Sequence, residues 1–203
     1  MKSIKTGQVA EPEGRRSIGA RRNPDSAEAI LDAAEAVLLE SGYAGFSIEA
    51  VARRARAGKP TIYRWWPSKT ALLLDVYHRQ KRDVGQPDTG SLEEDLFQLA
   101  SGLFRLWRDT PAGPIFRSII AEAQSDAKAA EALADYGAER RRHSGRMTER
   151  AIARGEARPD ANAKVVADLV SSYAWTHLLT DRLDEDDDTL RAAIRTIVRG
   201  VLA

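Results

Sequence analysis

Residues 58–70 read GKPTIYRWWPSKT, and their types suit the recognition of a polyanion. Lys59 and Lys69 each follow a residue, Gly58 or Ser68, that can open a helix. Lysine is the wrong charge there, because the free N–H groups and the backbone dipole of a helix start favour anions, with a penalty of roughly 0.3–1 kcal/mol. Two readings stand. Both lysines are solvated, or an external phosphate meets the ammonium groups and the helix starts together. The residues between them divide by face. Ile62 and Trp66 stand four apart and point to a packed side, Tyr63 lies on another side where its hydroxyl can reach a phosphate oxygen, and Trp65 reads as scaffold.

Other residues that could do chemistry lead nowhere in particular. The chain has no cysteine, which excludes disulfides, thiolate metal sites and a cysteine nucleophile. His78, His143 and His177 are far apart and lack the HxxxH spacing of a zinc site. His143 and Ser144 are adjacent, so on a helix they diverge, and no nucleophile elbow precedes them. The acidic run 184–188 lacks the spaced oxygens and turn glycine of a calcium loop and reads as a helix cap. Arg140, Arg141 and Arg142 read as a solvated basic face beside Glu139. Phe104, Trp107, Phe116, Tyr136, Tyr173 and Trp175 are candidates to line an apolar pocket. The expectation is a protein that does no covalent chemistry and needs no cofactor.

The elements that must position these residues are all helical. Asn23-Pro24 opens a first helix whose buried face is Ile30, Ala34, Val37 and Leu38, with Gly42 as its stop. Ser47 caps a short second helix that breaks at 56–58. The third runs from the Gly58 cap to just before Pro67, and Ser68 caps a fourth. Two short helices joined by a tight turn in a basic segment suggest a helix-turn-helix. Pro87 to Gly90 reads as a linker. Beyond it come a capping box at 91–94, an interruption at 111–114 with a helix resuming at Ile115, a long charged helix over 126–154, and helices over 163–180 and 189–202. The chain thus divides into a flexible basic arm at 1–22, carrying Arg21 and Arg22, a helix-turn-helix unit at 23–67, a connecting helix at 68–86 and a helical body at 91–203. No strand pattern is present, so the fold class is all-α.

Charge follows the same division. Residues 1–82 hold fifteen Lys and Arg against nine Asp and Glu, whereas 83–203 hold sixteen against twenty-one. A basic head on an acidic body directs a polyanion to the head. No apolar run approaches the roughly 18 residues of a membrane span, and the N-terminus lacks the apolar core of a secretory signal, so the expected compartment is the cytoplasm.

The run FSIEAVARRARAGKPTIYRWWPSKTALL, together with AILDAAEAVLLESGYAGFS upstream, resembles the DNA-binding domain of the tetracycline-repressor (TetR) family over 23–82. The resemblance implies a homodimer that represses transcription from a palindromic operator in double-stranded DNA and is released by a small ligand. By position, Ser47 would touch phosphate, Lys59, Pro60, Thr61, Tyr63 and Arg64 would face the groove, and Lys69 would hold phosphate. Arg56 stands where that family usually has glycine, and Gly58 where it often has serine. The aromatic residues of the body imply an apolar or aromatic ligand. Val166, Val170 and His177 on one helix, with Ile194, Ile197, Val198 and Val201 on the next, have the spacing to form an isologous four-helix dimer interface. The alternative reading is a DNA-binding architectural or protein-interaction module with no small-molecule inducer.

Overall fold

The structure, a computed structural model, describes residues 24–81 and 84–203, so Arg21 and Arg22 lie outside the described residues. Among these, every regular element is a helix: α1 (Pro24–Gly45), α2 (Ile48–Ala55), α3 (Lys59–Trp65), α4 (Lys69–Gln80), α5 (Leu92–Asp109), α6 (Ala112–Ala123), α7 (Ala127–Ala153), α8 (Ala163–Leu179) and α9 (Asp187–Arg199). One isolated antiparallel bridge, Ala157 to Leu202, ties the segment after α7 to the end of the chain.

Local chemistry explains most boundaries. Ser47, Ser68, Asp126 and Asp186 each accept a hydrogen bond from a backbone N–H in the first turn that follows. Gly42 takes φ +63°, which breaks α1, and a short helical turn follows it. Two expectations are corrected. Ser91 caps α5, but Glu94 does not complete a capping box. Its carboxylate binds Gln98 and Arg191, and Thr89 Oγ1 takes the Ser91 N–H instead. Helix α6 starts at Ala112 rather than Ile115, since Pro114 lies in the first turn, where no N–H is needed. That start is tight: a Cβ on Gly113 would lie 2.2 Å from the Trp107 carbonyl oxygen, so only glycine lets α6 turn this close to the end of α5.

The first three helices enclose a small core of Ile30, Ala34, Val37, Phe46, Ile48, Val51 and Ile62, all nearly inaccessible to solvent. Helix α4 packs against α1 on one side and against α6 and α7 on the other. Its Arg79 pairs with Asp32 of α1 at 2.8 Å, and Trp66 at its entry donates to Asp75 at 2.7 Å. In the body, α8 lies along α7, and α5 packs against α9, α8, α6 and α7. The 87–90 linker is held down by Asp95, fully buried, which accepts from the Thr89 N–H and hydroxyl at 2.7 Å each and pairs with Arg150 at 3.5 Å.

The turn between α2 and α3 carries the strain that its sequence implied. Arg56 takes the left-handed conformation, φ +51°, while the Ala57 N–H returns to the Ala52 carbonyl at 3.0 Å. Gly at this position would relieve the Cβ clash at the cost of some chain entropy. Arg56→Gly is therefore expected to raise stability by about 1 kcal/mol, seen as a rise of about 2–4 °C in thermal melting.

Candidate nucleic-acid interface and body cavity

The fold sorts α3 into two faces. Ile62 and Trp66 are buried against the head core, while Lys59, Pro60, Tyr63 and Arg64 are exposed and Thr61 is half-buried. The outer face is therefore continuous, built from positions 59, 60, 63 and 64 on successive turns. Trp65 stacks on Trp66 with ring centroids 5.7 Å apart, which makes it scaffold. Ser47, whose Oγ accepts from the Ala50 N–H at 3.2 Å, keeps its hydroxyl hydrogen free for an outside acceptor. Arg53 and Arg56 are also exposed and make no ion pair among the described residues. They escaped the reading by motif, although their charge beside the turn was visible.

Neither helix-start lysine lacks a carboxylate. Lys59 pairs with Glu49 in the first turn of α2, and this pairing first of all holds the Glu49 carboxyl below the usual range. Lys69 lies 3.9 Å from Glu122 of α6 and sits over the Tyr43 ring, 4.3 Å from its centroid. To the two readings, solvated lysines or an external phosphate, the structure adds a carboxylate partner for each within the chain. Glu122 in turn accepts from the Tyr43 hydroxyl and, at 3.1 Å, from the Thr70 hydroxyl. Burial and then Glu122 push the Tyr43 phenol well above its ordinary value, so it stays a donor. One carboxylate from the body thereby holds the end of α1 and the start of α4.

In the body, a cavity of about 400 Å³ opens between α7 and α8. Tyr77 and Lys81 reach it from the α4 end, Leu99, Leu103 and Trp107 from α5, and Phe116 from α6. Positions 136, 137, 140, 141 and 144 of α7 face positions 168, 171, 172 and 175 of α8 across it. Trp107 Nε1–H donates to the Tyr77 hydroxyl at 2.8 Å, and the Tyr77 ring stacks on Phe116 at 4.5 Å. Trp175 and Tyr136 meet Phe116 edge-on at 5.4 and 5.8 Å. Burial raises the Tyr77 and Tyr136 phenols far above their ordinary value, so both remain neutral.

Of the six aromatic candidates, Trp107, Phe116, Tyr136 and Trp175 line this cavity, and Phe104 and Tyr173 do not. Those two stack with buried His177, at 5.2 and 4.2 Å, on another side of α8. His177 Nδ1 lies 2.8 Å from the Tyr173 carbonyl and its Nε2 lies 2.7 Å from Glu185. The dimer candidates lie mostly inside the protomer. Val166, Val170, His177, Ile194 and Val198 are buried within the protomer, and Ile197 and Val201 are partly buried against the same core. The exposed apolar residues of α8 are Val165, Leu169 and Leu179, about half exposed each. Thr176, also exposed, falls on the same stripe.

Comparison with known proteins agrees with this arrangement. The family described as bacterial regulatory proteins, tetR family, matches residues 30–76, and the tetracyclin repressor-like C-terminal domain matches residues 86–197. The chain belongs to the TetR family. It is a DNA-binding transcriptional regulator, with the helix-turn-helix head at the N-terminus and a helical C-terminal domain. The HTH-type transcriptional regulator YdeS of Bacillus subtilis is 30% identical over 187 residues, covering 91% of this chain and 94% of YdeS. The DNA-binding transcriptional repressor TetR of Mycobacteroides abscessus is 32% identical over 78% of this chain and 84% of its own. The crystal structure of the TetR family regulator SCO0332 superposes with a TM-score of 0.76 at 31% identity, over 88% of this chain and 100% of that one.

For this TetR-family head, the Lys59–Glu49 pair places a carboxylate on the surface beside the outer face of α3. A phosphate approaching Lys59 would have to displace Glu49, whose carboxylate would also repel a duplex. Glu49→Gln is therefore expected to strengthen binding to any duplex about equally, measured by fluorescence anisotropy with specific and scrambled DNA at several salt concentrations. An unchanged or weakened affinity for both would place Lys59 away from the phosphates.

Proposed function

We propose that this TetR-family regulator is a ligand-responsive repressor, which binds a palindromic operator as a homodimer and releases it when a small, largely apolar or aromatic ligand enters the body cavity. In this reading Ser47 and Lys69 hold phosphate, with Lys69 exchanging Glu122 for the backbone. Lys59, Pro60, Thr61, Tyr63 and Arg64 face the major groove. Half-sites about 34–36 Å apart would match the two recognition helices of a dimer.

The observation that carries the reading is the placement of α4. Its start is held by Glu122 through Lys69 and Thr70, while Tyr77 near its end forms part of the cavity wall. A ligand that displaces Tyr77 or Phe116 therefore acts on the same rigid helix that carries the head. It lowers operator affinity only to the extent that it binds the DNA-incompetent arrangement more tightly. The alternative, an architectural DNA-binding module without an inducer, is disfavoured by a cavity lined with aromatic rings.

Reciprocity provides the test. A ligand found by thermal-shift screening should lose about five- to 150-fold in affinity when operator is saturating, and operator should lose the same factor when ligand is saturating. Glu122→Ala should bring both factors toward one while leaving ligand affinity for the free protein unchanged. Equal ligand affinities with and without operator would sink the induction reading.

The homodimer is assigned to the outer stripe of α8. Leu169→Glu, at an exposed position, should leave the melting of the protomer intact, shift light scattering toward the monomer and weaken operator binding at least tenfold. Val198→Glu, by contrast, buries an unpaired charge and should unfold the body. A Leu169→Glu variant that stays dimeric would exclude this face.

A further inference from the structure

The cavity that the induction reading uses is not simply greasy. At the end formed by α4 and α7 it is lined by two cations, Lys81 and Arg140, and a second cavity of about 250 Å³ shares both of them as its wall. Lys81 forms no ion pair among the described residues. Arg140 offers one Nη to Glu139 at 2.8 Å, on the solvent side, where Glu139 is well exposed. Its Nε is buried and has no hydrogen-bond partner among the described residues. The remaining charged pair on the wall, Arg141 with Asp168 at 2.6 Å, is internally neutral. A buried guanidinium nitrogen without an acceptor is costly, and native structures rarely leave one unmet.

Gly137 is the second observation. It sits in the middle of the 27-residue α7 and faces the cavity, yet a Cβ there would meet nothing within 4 Å. Glycine at a helix interior is destabilising by about 0.5–1 kcal/mol relative to alanine. No crowding within the protein requires it, and what the missing side chain leaves is open space beside Tyr136 and Arg140.

We propose that the cavity binds a small aromatic organic anion, with its carboxylate or equivalent acidic oxygen between Lys81 and Arg140 and its ring laid over Gly137 among Trp107, Phe116 and Trp175. The acid supplies the acceptor that Arg140 Nε lacks. The four serine, lysine and arginine positions at the rim, Lys81, Arg140, Ser144 and Ser171, give the head group donors, while the aromatic residues take the ring edge-on or stacked. The local electrostatics agree. Burial first, and Arg140 next, bring the Lys81 ammonium down to about 8, and the same two causes hold His78 and His143 below the ordinary imidazole value. The carboxylates nearby are Glu139, paired with Arg140 on the solvent side, and Asp168, paired with Arg141, so no free carboxylate among the described residues faces Lys81, which still carries its charge at neutral pH.

The inference rests on the ligand-responsive reading for its biological sense, but its test uses the free protein without DNA. A panel of aryl carboxylates, such as 2-naphthoate, is titrated by calorimetry at pH 7, each beside its neutral primary amide. At least one acid should bind ten or more times tighter than its amide. Lys81→Met and Arg140→Met should each erase that preference while leaving amide binding in place, and Lys81→Arg should retain it. Gly137→Met, which fills the ring site from a helix position that tolerates a side chain, should abolish binding of acid and amide alike without lowering the melting temperature. A panel in which no acid outbinds its amide overturns the proposal, as does a preference that survives both cation variants. An acid that binds as described yet leaves operator affinity untouched would overturn the induction reading and leave this one standing.

Discussion

Helix α4 is buried on two opposite sides, and the rest of the molecule follows from that constraint. Leu72, Leu73, Leu74, Val76 and Tyr77 are all nearly inaccessible, and they serve two different cores, that of the head and that of the body. Close-packed interfaces shift between discrete arrangements more readily than they deform. A change at either face of such a helix is therefore passed to the other as a rigid displacement. A connecting helix with only one apolar side would leave head and body free to tilt independently, and nothing in the body could then set the distance between two recognition helices.

The polar contacts along this joint are arranged to be reversible. Glu122 is about a quarter exposed, and its two oxygens serve three partners, Tyr43 of the head and Lys69 and Thr70 of α4. Only the Lys69 contact is an ion pair, and at 3.9 Å it is a loose one, while the Tyr43 and Thr70 hydroxyls donate to the carboxylate from partly buried positions. In the proposed induction, a ligand would have to offset these contacts by its differential affinity for the two arrangements. The Tyr77–Trp107–Phe116 packing at the far end of α4 is of another kind. It is buried and aromatic, with stacked rings and one hydrogen bond, and it lies directly at the cavity wall.

The legibility of the sequence tracks how local each signal is. Caps, the Arg56 turn, the packed Ile62–Trp66 face and the exposed Tyr63 and Arg64 all follow from residues within one or two turns of each other, and the motif in the head is specific. The dimer candidates prove mostly buried within the protomer because periodicity reports that a helix has a buried side without saying what buries it. Val166, Val170, Ile194 and Val198 are consumed by α5 and by each other's helices, and the outer stripe of α8 has too few large apolar residues to stand out in the text. The cavity was half legible for a related reason. Aromatic identity picked out Trp107, Phe116, Tyr136 and Trp175, but only tertiary packing separates them from Phe104 and Tyr173, which stack with His177.

Arg140 shows most clearly what a linear reading loses. In sequence it is one of three consecutive arginines beside a glutamate, the usual look of a solvated helix face. On α7 those three arginines point in three directions about 100° apart. Arg142 is exposed, Arg141 is taken by Asp168, and Arg140 turns toward Tyr136, its guanidinium 5.7 Å from the ring centre. A cation at that ring is weakly favourable, yet the desolvation of its Nε is not repaid by any described neighbour. The pattern that betrays it is the helical set 136, 137, 140, 144, which couples a tyrosine, a mid-helix glycine, a cation and a serine on one face. A glycine and a charge sharing an inward face make a poor choice for a packed core and a good one for a wall that must leave room for something polar at one end.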